Sequence, residues 1–177
     1  DGFSANLATD GKFREVQNPD NDLRLLAFCR LYGAIYCFSP FKDAGIKPLD
    51  TLFVDHVMPV SNASDQTQYN LELMRFMSAL KDGHAIPFSS ERETFFGRYY
   101  LPFTCELING TAIVTETTNR RKCRRYKISR GDTVITINND PVHKRISRFA
   151  PYISVTNEKF RSDLCLNKGF DNNRCDL

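Results

Sequence analysis

His84 is the side chain best placed by local sequence for proton chemistry near neutral pH. It sits in the stretch Leu80-Lys81-Asp82-Gly83-His84-Ala85-Ile86-Pro87-Phe88. A histidine titrates in the physiological range and serves as a general acid or base when a rigid backbone holds it. Upstream, Leu73, Met77 and Leu80 recur at helical spacing with Phe76 beside them, so they share one helix face. Gly83 stands where a helix end calls for a left-handed residue, and Lys81 suits the negative end of the helix dipole. Ala85 to Phe88 reads as extended, because the residue before proline avoids the α region. The alternative is a helix-end histidine that bonds a nearby carbonyl. His56, beside the inner face of another helical pattern, reads as structural or solvated.

The cysteines offer less. None of Cys29, Cys37, Cys105, Cys123, Cys165 and Cys175 forms a CxxC or CxH pair, so no metal site and no cofactor is implied. Cys29 and Cys37 lie about 12 Å apart along a helix and cannot bond to each other there. Cys165 and Cys175 flank a short loop and can pair; buried thiols are the equal alternative. Asn62-Ala-Ser64 and Asn109-Gly-Thr111 match glycosylation sequons.

The elements that must position His84 follow from periodicity. The 177 residues are 41% hydrophobic with 14 Phe, enough for one medium domain or two small ones. A net charge of +3 gives no general pull toward polyanions, and no apolar run is long enough to span a membrane. Residues 1–19 read as a polar leader with one short strand. Asp20 or Asn21 caps a helix over Leu23–Phe38 that carries only Arg24 and Arg30 as charges, so it is expected to be buried on most sides. Pro40 stops it. Pro48 opens a second helix with Leu52, Phe53, Val57 and Val60 inward, ended by Pro59 and the polar run Ser61-Asn62-Ala63-Ser64. Asp65 and Gln68 resemble a capping box for a third helix through Lys81. Together these make a small helical subdomain over residues 20–90.

Beyond it the segments become short, aromatic and β-branched. Leu101–Ile108 and Thr111–Thr117 read as strands joined by a type I′ turn at Asn109-Gly110. Residues 119–127 read as a polar, basic connection. Thr133–Ile137 is a strand, Asn138-Asn139-Asp140-Pro141 a turn, and Ile146, Phe149, Ala150 and Ile153 suggest a short helix. The fold class expected is α+β, a small helical subdomain followed by a β-rich domain at 91–157.

Three pieces occur in an order that resembles one family. Leu31-Tyr-Gly-Ala-Ile-Tyr-Cys-Phe-Ser-Pro-Phe41 is similar to a helix ending in an aromatic-x-Pro-aromatic turn. Leu80-Lys-Asp-Gly-His84 is similar to the L-x-D-x-H motif that closes a helical subdomain. Ile128-Ser-Arg-Gly-Asp-Thr-Val-Ile-Thr-Ile-Asn-Asn-Asp-Pro-Val142 resembles the G-D-x-I-x-x-I-N-G-x-P-V signature of PDZ domains. Their order over residues 20–160 resembles the front half of tail-specific, or C-terminal processing, serine proteases, in the branch of the tricorn protease core and the retinoid-binding protein repeats.

The resemblance implies a helical subdomain, a PDZ-like domain and then an α/β catalytic domain carrying the nucleophilic Ser. Residues 158–177 are expected to begin or lead to that third domain, which lies outside this chain, so the 177 residues alone are expected to be inactive. His84 matches the general base of the Ser-His branch; other branches use Ser-Lys. The partners implied are a polypeptide substrate and the catalytic domain, in a periplasmic, cell-envelope or secreted setting. Two departures stand out. No Gly-hydrophobic-Gly stretch for carboxylate capture lies between Pro102 and Gly131, so the domain is expected to gate or position substrate. The turn at 138–141 lacks its usual glycine, and Asn139 is expected to take the left-handed conformation instead.

Two other functions compete. One is a peptide-binding PDZ-like module of a catalytically inactive parent. The other is a polyanion-binding domain led by Arg120, Arg121, Lys122, Arg124, Arg125, Lys127 and Arg130. A solvated inter-strand loop is the simpler account of that run and is favoured over a polyanion site, and Tyr126 alone supplies too little aromatic surface for a nucleic-acid platform.

Overall fold

The computed structural model describes residues 19–40, 42, 45–85, 90–97 and 99–167. The expected leader strand, Phe41 of the aromatic turn, the extended reading of Ile86–Phe88 and Cys175 lie outside the described residues. The fold is α+β. Three helices come first: α1 (Asn21–Phe38), α2 (Leu49–Ser61) and α3 (Gln66–Ala79). A short α4 (Ser90–Phe96) leads to β1 (Thr104–Ile108), β2 (Thr111–Glu116), α5 (Arg120–Arg125), β3 (Thr133–Val134), β4 (Thr136–Ile137) and β5 (Asp140–Pro141). The order closes with α6 (Val142–Phe149), a 3-10 turn at Ala150–Tyr152, and α7 (Glu158–Asn167).

The helix starts follow from capping chemistry. Asp20 accepts from the Leu23 amide at 2.9 Å and Asp65 from the Gln68 amide at 2.8 Å, which satisfies amides that have no partner inside the helix. The Gln68 side chain reaches back to the Ser64 amide at 2.6 Å, one residue before the cap. Around Phe28 the three helices share a core: its ring stacks on Phe53 at 5.1 Å and meets the edge of Phe76 at 4.8 Å. Leu52, Val60 and Leu80 complete it.

α2 ends at Ser61, the first residue of the polar run, with Pro59 accommodated inside its last turn. One helical expectation needs correction: α1 is not buried on most sides. Only Arg24, Phe28 and Ile35 are buried, while Leu25, Leu26, Cys29, Tyr36 and Cys37 face outward. Among the described residues, α1 is covered mainly by α2, with Phe28 reaching Phe76 of α3.

The hairpin follows from its turn. Asn109 and Gly110 both take positive φ, 49° and 80°, as the type I′ geometry requires. β1 pairs antiparallel with β2, with Ile108 opposite Thr111, and β2 pairs antiparallel with β3. The expected strand Thr133–Ile137 breaks at the exposed Ile135. Its first half pairs with β2, and its second half forms a separate two-stranded ribbon with β5. Asn138 and Asn139, at φ 52° and 61°, make the ribbon's turn. The basic run is helical rather than a plain connection. Asn119 caps α5 through the Lys122 amide, and Cys123 anchors it in the sheet core.

A third cluster joins the helical and β-rich parts: Met74 and Phe96 pack with Phe149, Ile153, Val155 and Cys165. Residues 158–167, expected to begin or lead to a further domain, form α7 against β1. Cys165 is a buried thiol there, and its expected partner Cys175 falls outside the description. Among the described residues, no helix is long and apolar enough to cross a membrane.

Candidate functional site

The chain leaves α3 through a tight sequence of turns. The left-handed residue is Lys81, at φ 55°, not Gly83, which has room for a side chain around its Cα and shows no positive φ. The reason is length. α3 stops at Ala79 with Leu80 as its cap, so the αL position falls two residues earlier than the glycine. Asp82 then begins a second turn, its carbonyl accepting from the Ala85 amide at 3.0 Å. The hydroxyl of Ser154, arriving from the far side of the fold, sits 2.6 Å from the Asp82 carbonyl and 2.9 Å from that of Met77. It ties the turn to the end of α3.

This turn presents His84. Its side chain is 90% exposed, whereas that of Asp82 is only 16% exposed. The Asp82 Oδ1 atom accepts from the His84 backbone amide at 2.9 Å and lies 3.1 Å from His84 Nδ1. A carboxylate only accepts, so Nδ1 carries the proton and Nε2 is left as the open acceptor, aimed away from Asp82. A carboxylate that fixes the tautomer, with the far nitrogen free to take a proton, is the arrangement in which an imidazole acts on a hydroxyl. Asp82 is a candidate-site residue to which the sequence reading gave no role of its own. Its only signal was the Asp-x-His spacing, which permits a side chain to reach the amide two residues on.

Beside His84 runs an open groove of about 440 Å³ between the end of α1 and the end of α3. Ala34, Phe38, Pro40, Met77 and Leu80 make it apolar, with Asp82 and His84 on its rim. Phe38, 85% exposed, stands over it. His56 is elsewhere, half-buried between α2 and α3, 3.9 Å from Glu72 and edge-on to Phe76 at 5.8 Å. Burial holds its pKa below the ordinary histidine value, although Glu72 opposes that shift. It is a structural histidine. His143 is exposed on α6.

The β-rich part has a second groove, about 430 Å³, between the hairpin and α6, lined by Leu107, Ala112, Val134, Val142 and Ile146. The free edge of β1 beside it is closed. Asn167 accepts from the Cys105 amide at 2.9 Å and donates to the Cys105 carbonyl at 2.6 Å; Asp163 accepts from the Leu107 amide at 2.8 Å. These three bonds are the ones a neighbouring strand would make, and here two side chains of α7 make them. A peptide cannot add to β1 while α7 is in place. Among the described residues, no cluster of His, Cys, Asp and Glu could hold a metal ion.

No protein-family model matches the chain, and no curated protein matches it.

Proposed function

We propose that this chain is the front half of a tail-specific-type serine endopeptidase, which brings polypeptide substrate and a general base to a nucleophile carried by an α/β domain beyond these residues. The observation that carries the reading is the Asp82–His84 pair, with Nδ1 held at 3.1 Å and the ring exposed beside an apolar groove. In that role Nε2 takes the proton of the Ser hydroxyl as it attacks a peptide carbonyl, then returns it to the leaving amine. Asp82 stabilises the imidazolium that forms between the two steps. The apolar groove offers a seat for the catalytic domain or for an extended substrate. The cellular setting that goes with this role is periplasmic, cell-envelope or secreted.

The test is turnover of an unstructured peptide by the complete enzyme. His84→Ala is expected to lower kcat by roughly three to four orders of magnitude, and Asp82→Asn by a comparable factor, with KM and thermal stability little changed. Near-normal turnover by a folded His84→Ala enzyme removes His84 from the mechanism and leaves a Ser-Lys dyad held within the catalytic domain.

A second reading draws on the groove between the hairpin and α6. Its apolar lining supports a peptide-binding module of a parent without catalysis. In that case peptide binds the chain, and both substitutions leave the binding unchanged.

A further inference from the structure

Seven cations fall between residues 120 and 130, with no Asp or Glu from Thr117 to Gly131. In the structure they are not a slack loop. Asn119 caps α5, Cys123 is buried, and the Cys123 thiol donates to the Pro102 carbonyl at 3.1 Å, so the helix is fixed to the sheet. Arg120, Arg121, Lys122, Arg124 and Arg125 occupy every other position of that helix, and all are exposed. Lys127 and Arg130, also exposed, extend the patch.

Several cations elsewhere on the described surface are neutralised. Lys47 meets Asp55, Arg75 meets Glu72, Arg148 meets Asp140, and Lys159 meets both Glu106 and Asp163, each within 3.2 Å. Among the described residues, none of the seven has a carboxylate within ion-pair distance. The nearest acid downstream, Asp132, already accepts from the Ser129 amide at 2.8 Å. Like charges at i, i+4, as in Arg120 with Arg124 and Arg121 with Arg125, weaken a helix. This surface therefore carries a local cost that the charged partner of a neutralised patch would remove.

Three exposed tyrosines flank it along the chain or through the Pro102–Asn119 bond. Tyr126 ends α5, and Tyr99 and Tyr100 are exposed just before Pro102, whose carbonyl accepts the Asn119 amide at 2.8 Å. The Arg125 guanidinium lies over the Tyr126 ring at 5.8 Å, so one face of that ring is covered. A covered ring is a poor platform for stacking a base. The charges also radiate around a helix of six residues instead of tracking a strand. A broad anionic surface fits both facts, since phenol rings sit well at headgroup level and lysines and arginines need only approach the phosphates.

We propose that α5, the following turn through Arg130 and the tyrosines at 99, 100 and 126 form a peripheral contact for an anionic phospholipid membrane. The contact is electrostatic and does not span the bilayer. It stands independently of the protease reading.

Vesicle co-sedimentation of the whole chain tests it. Retention is expected on phosphatidylcholine vesicles containing about 30% phosphatidylserine and not on phosphatidylcholine alone, and it should be lost at about 0.5 M NaCl. Each cation is worth about five-fold in affinity, so the variant R121Q/K122Q/R124Q/R125Q should bind several hundred-fold more weakly. Lys144→Gln, an exposed cation on α6, should bind like the parent chain. All four substituted side chains are exposed, so the variant keeps its melting temperature. No retention on the anionic vesicles overturns the proposal, as does equal retention of the quadruple variant. Tighter binding to an oligothymidylate than to the vesicles also overturns it and assigns the patch to single-stranded nucleic acid.

Discussion

Replacing Asn167 with alanine tests how α7 is held on the sheet. The Asn167 side chain makes four contacts: the Cys105 amide at 2.9 Å, the Cys105 thiol at 3.7 Å, the Cys105 carbonyl at 2.6 Å and the Asp163 carbonyl at 2.7 Å. Cys105 itself is fully buried. Removing the side chain strands one donor and one acceptor of β1, each worth about 1–3 kcal/mol when left unsatisfied. Water reaches part of the space, because Asn167 is only half-buried. The expected loss is about 2–4 kcal/mol, a large fraction of the ~5–15 kcal/mol that holds a domain together. Urea denaturation followed by circular dichroism measures it, and the midpoint should fall by roughly 1 M or more. Hydrogen exchange gives the local readout, since the Cys105 amide should lose more protection than those of β2. Asn167→Asp keeps the acceptor and loses both donated bonds, so it should be destabilised too. A change below about 0.5 kcal/mol, with Cys105 exchange unaltered, would refute the view that α7 closes this edge.

Two further outcomes follow from buried titratable groups. His56 holds a proton less readily in the folded chain than in the unfolded chain, because burial disfavours the imidazolium. Its contribution is present above about pH 6.5 and is lost as pH falls below the unfolded value, because the unfolded state then gains the proton first. Comparing denaturation midpoints at about pH 7.5 and 5.5 should show this loss, and His56→Gln should reduce the difference. Burial pushes the Cys105 thiol up to about 11, while Cys29 and Cys37 are exposed. Mass spectrometry after brief alkylation near pH 8 should find Cys29 and Cys37 modified and Cys105 intact until denaturant is added.

Much of the helical half was legible because its signals are local. Asp20 and Asp65 sit before apolar periodicity and act as caps through their own side chains. Asn109-Gly110 fixes the hairpin in the same way, since few residue pairs accept two positive φ angles. What escaped depends on tertiary placement. Leu25, Leu26 and Tyr36 look like core residues by type, but burial needs a neighbour on that side, and sequence does not say how many neighbours a helix has. A run of like charges at α5 argues against a helix, and the Asn119 cap and the seating of Cys123 under the sheet override it. Asp163 and Asn167 read as an ordinary polar helix surface. Their role appears only when α7 lies along β1. At the candidate site His84 was visible from the pattern around it. The backbone device that holds it was misplaced by two residues, and Asp82 was passed over because its orienting role depends on a side-chain rotation.

The central claim is that His84, oriented by Asp82, is the base for a serine beyond these residues. Fluorophosphonate labelling tests it most directly, because the reagent bonds to a serine only when that hydroxyl is activated. The complete enzyme is expected to be labelled on one serine outside residues 1–177. His84→Ala, with an unchanged melting temperature, should label roughly a thousand-fold more slowly or not at all. Labelling of that serine at the parent rate in the folded variant would contradict the claim.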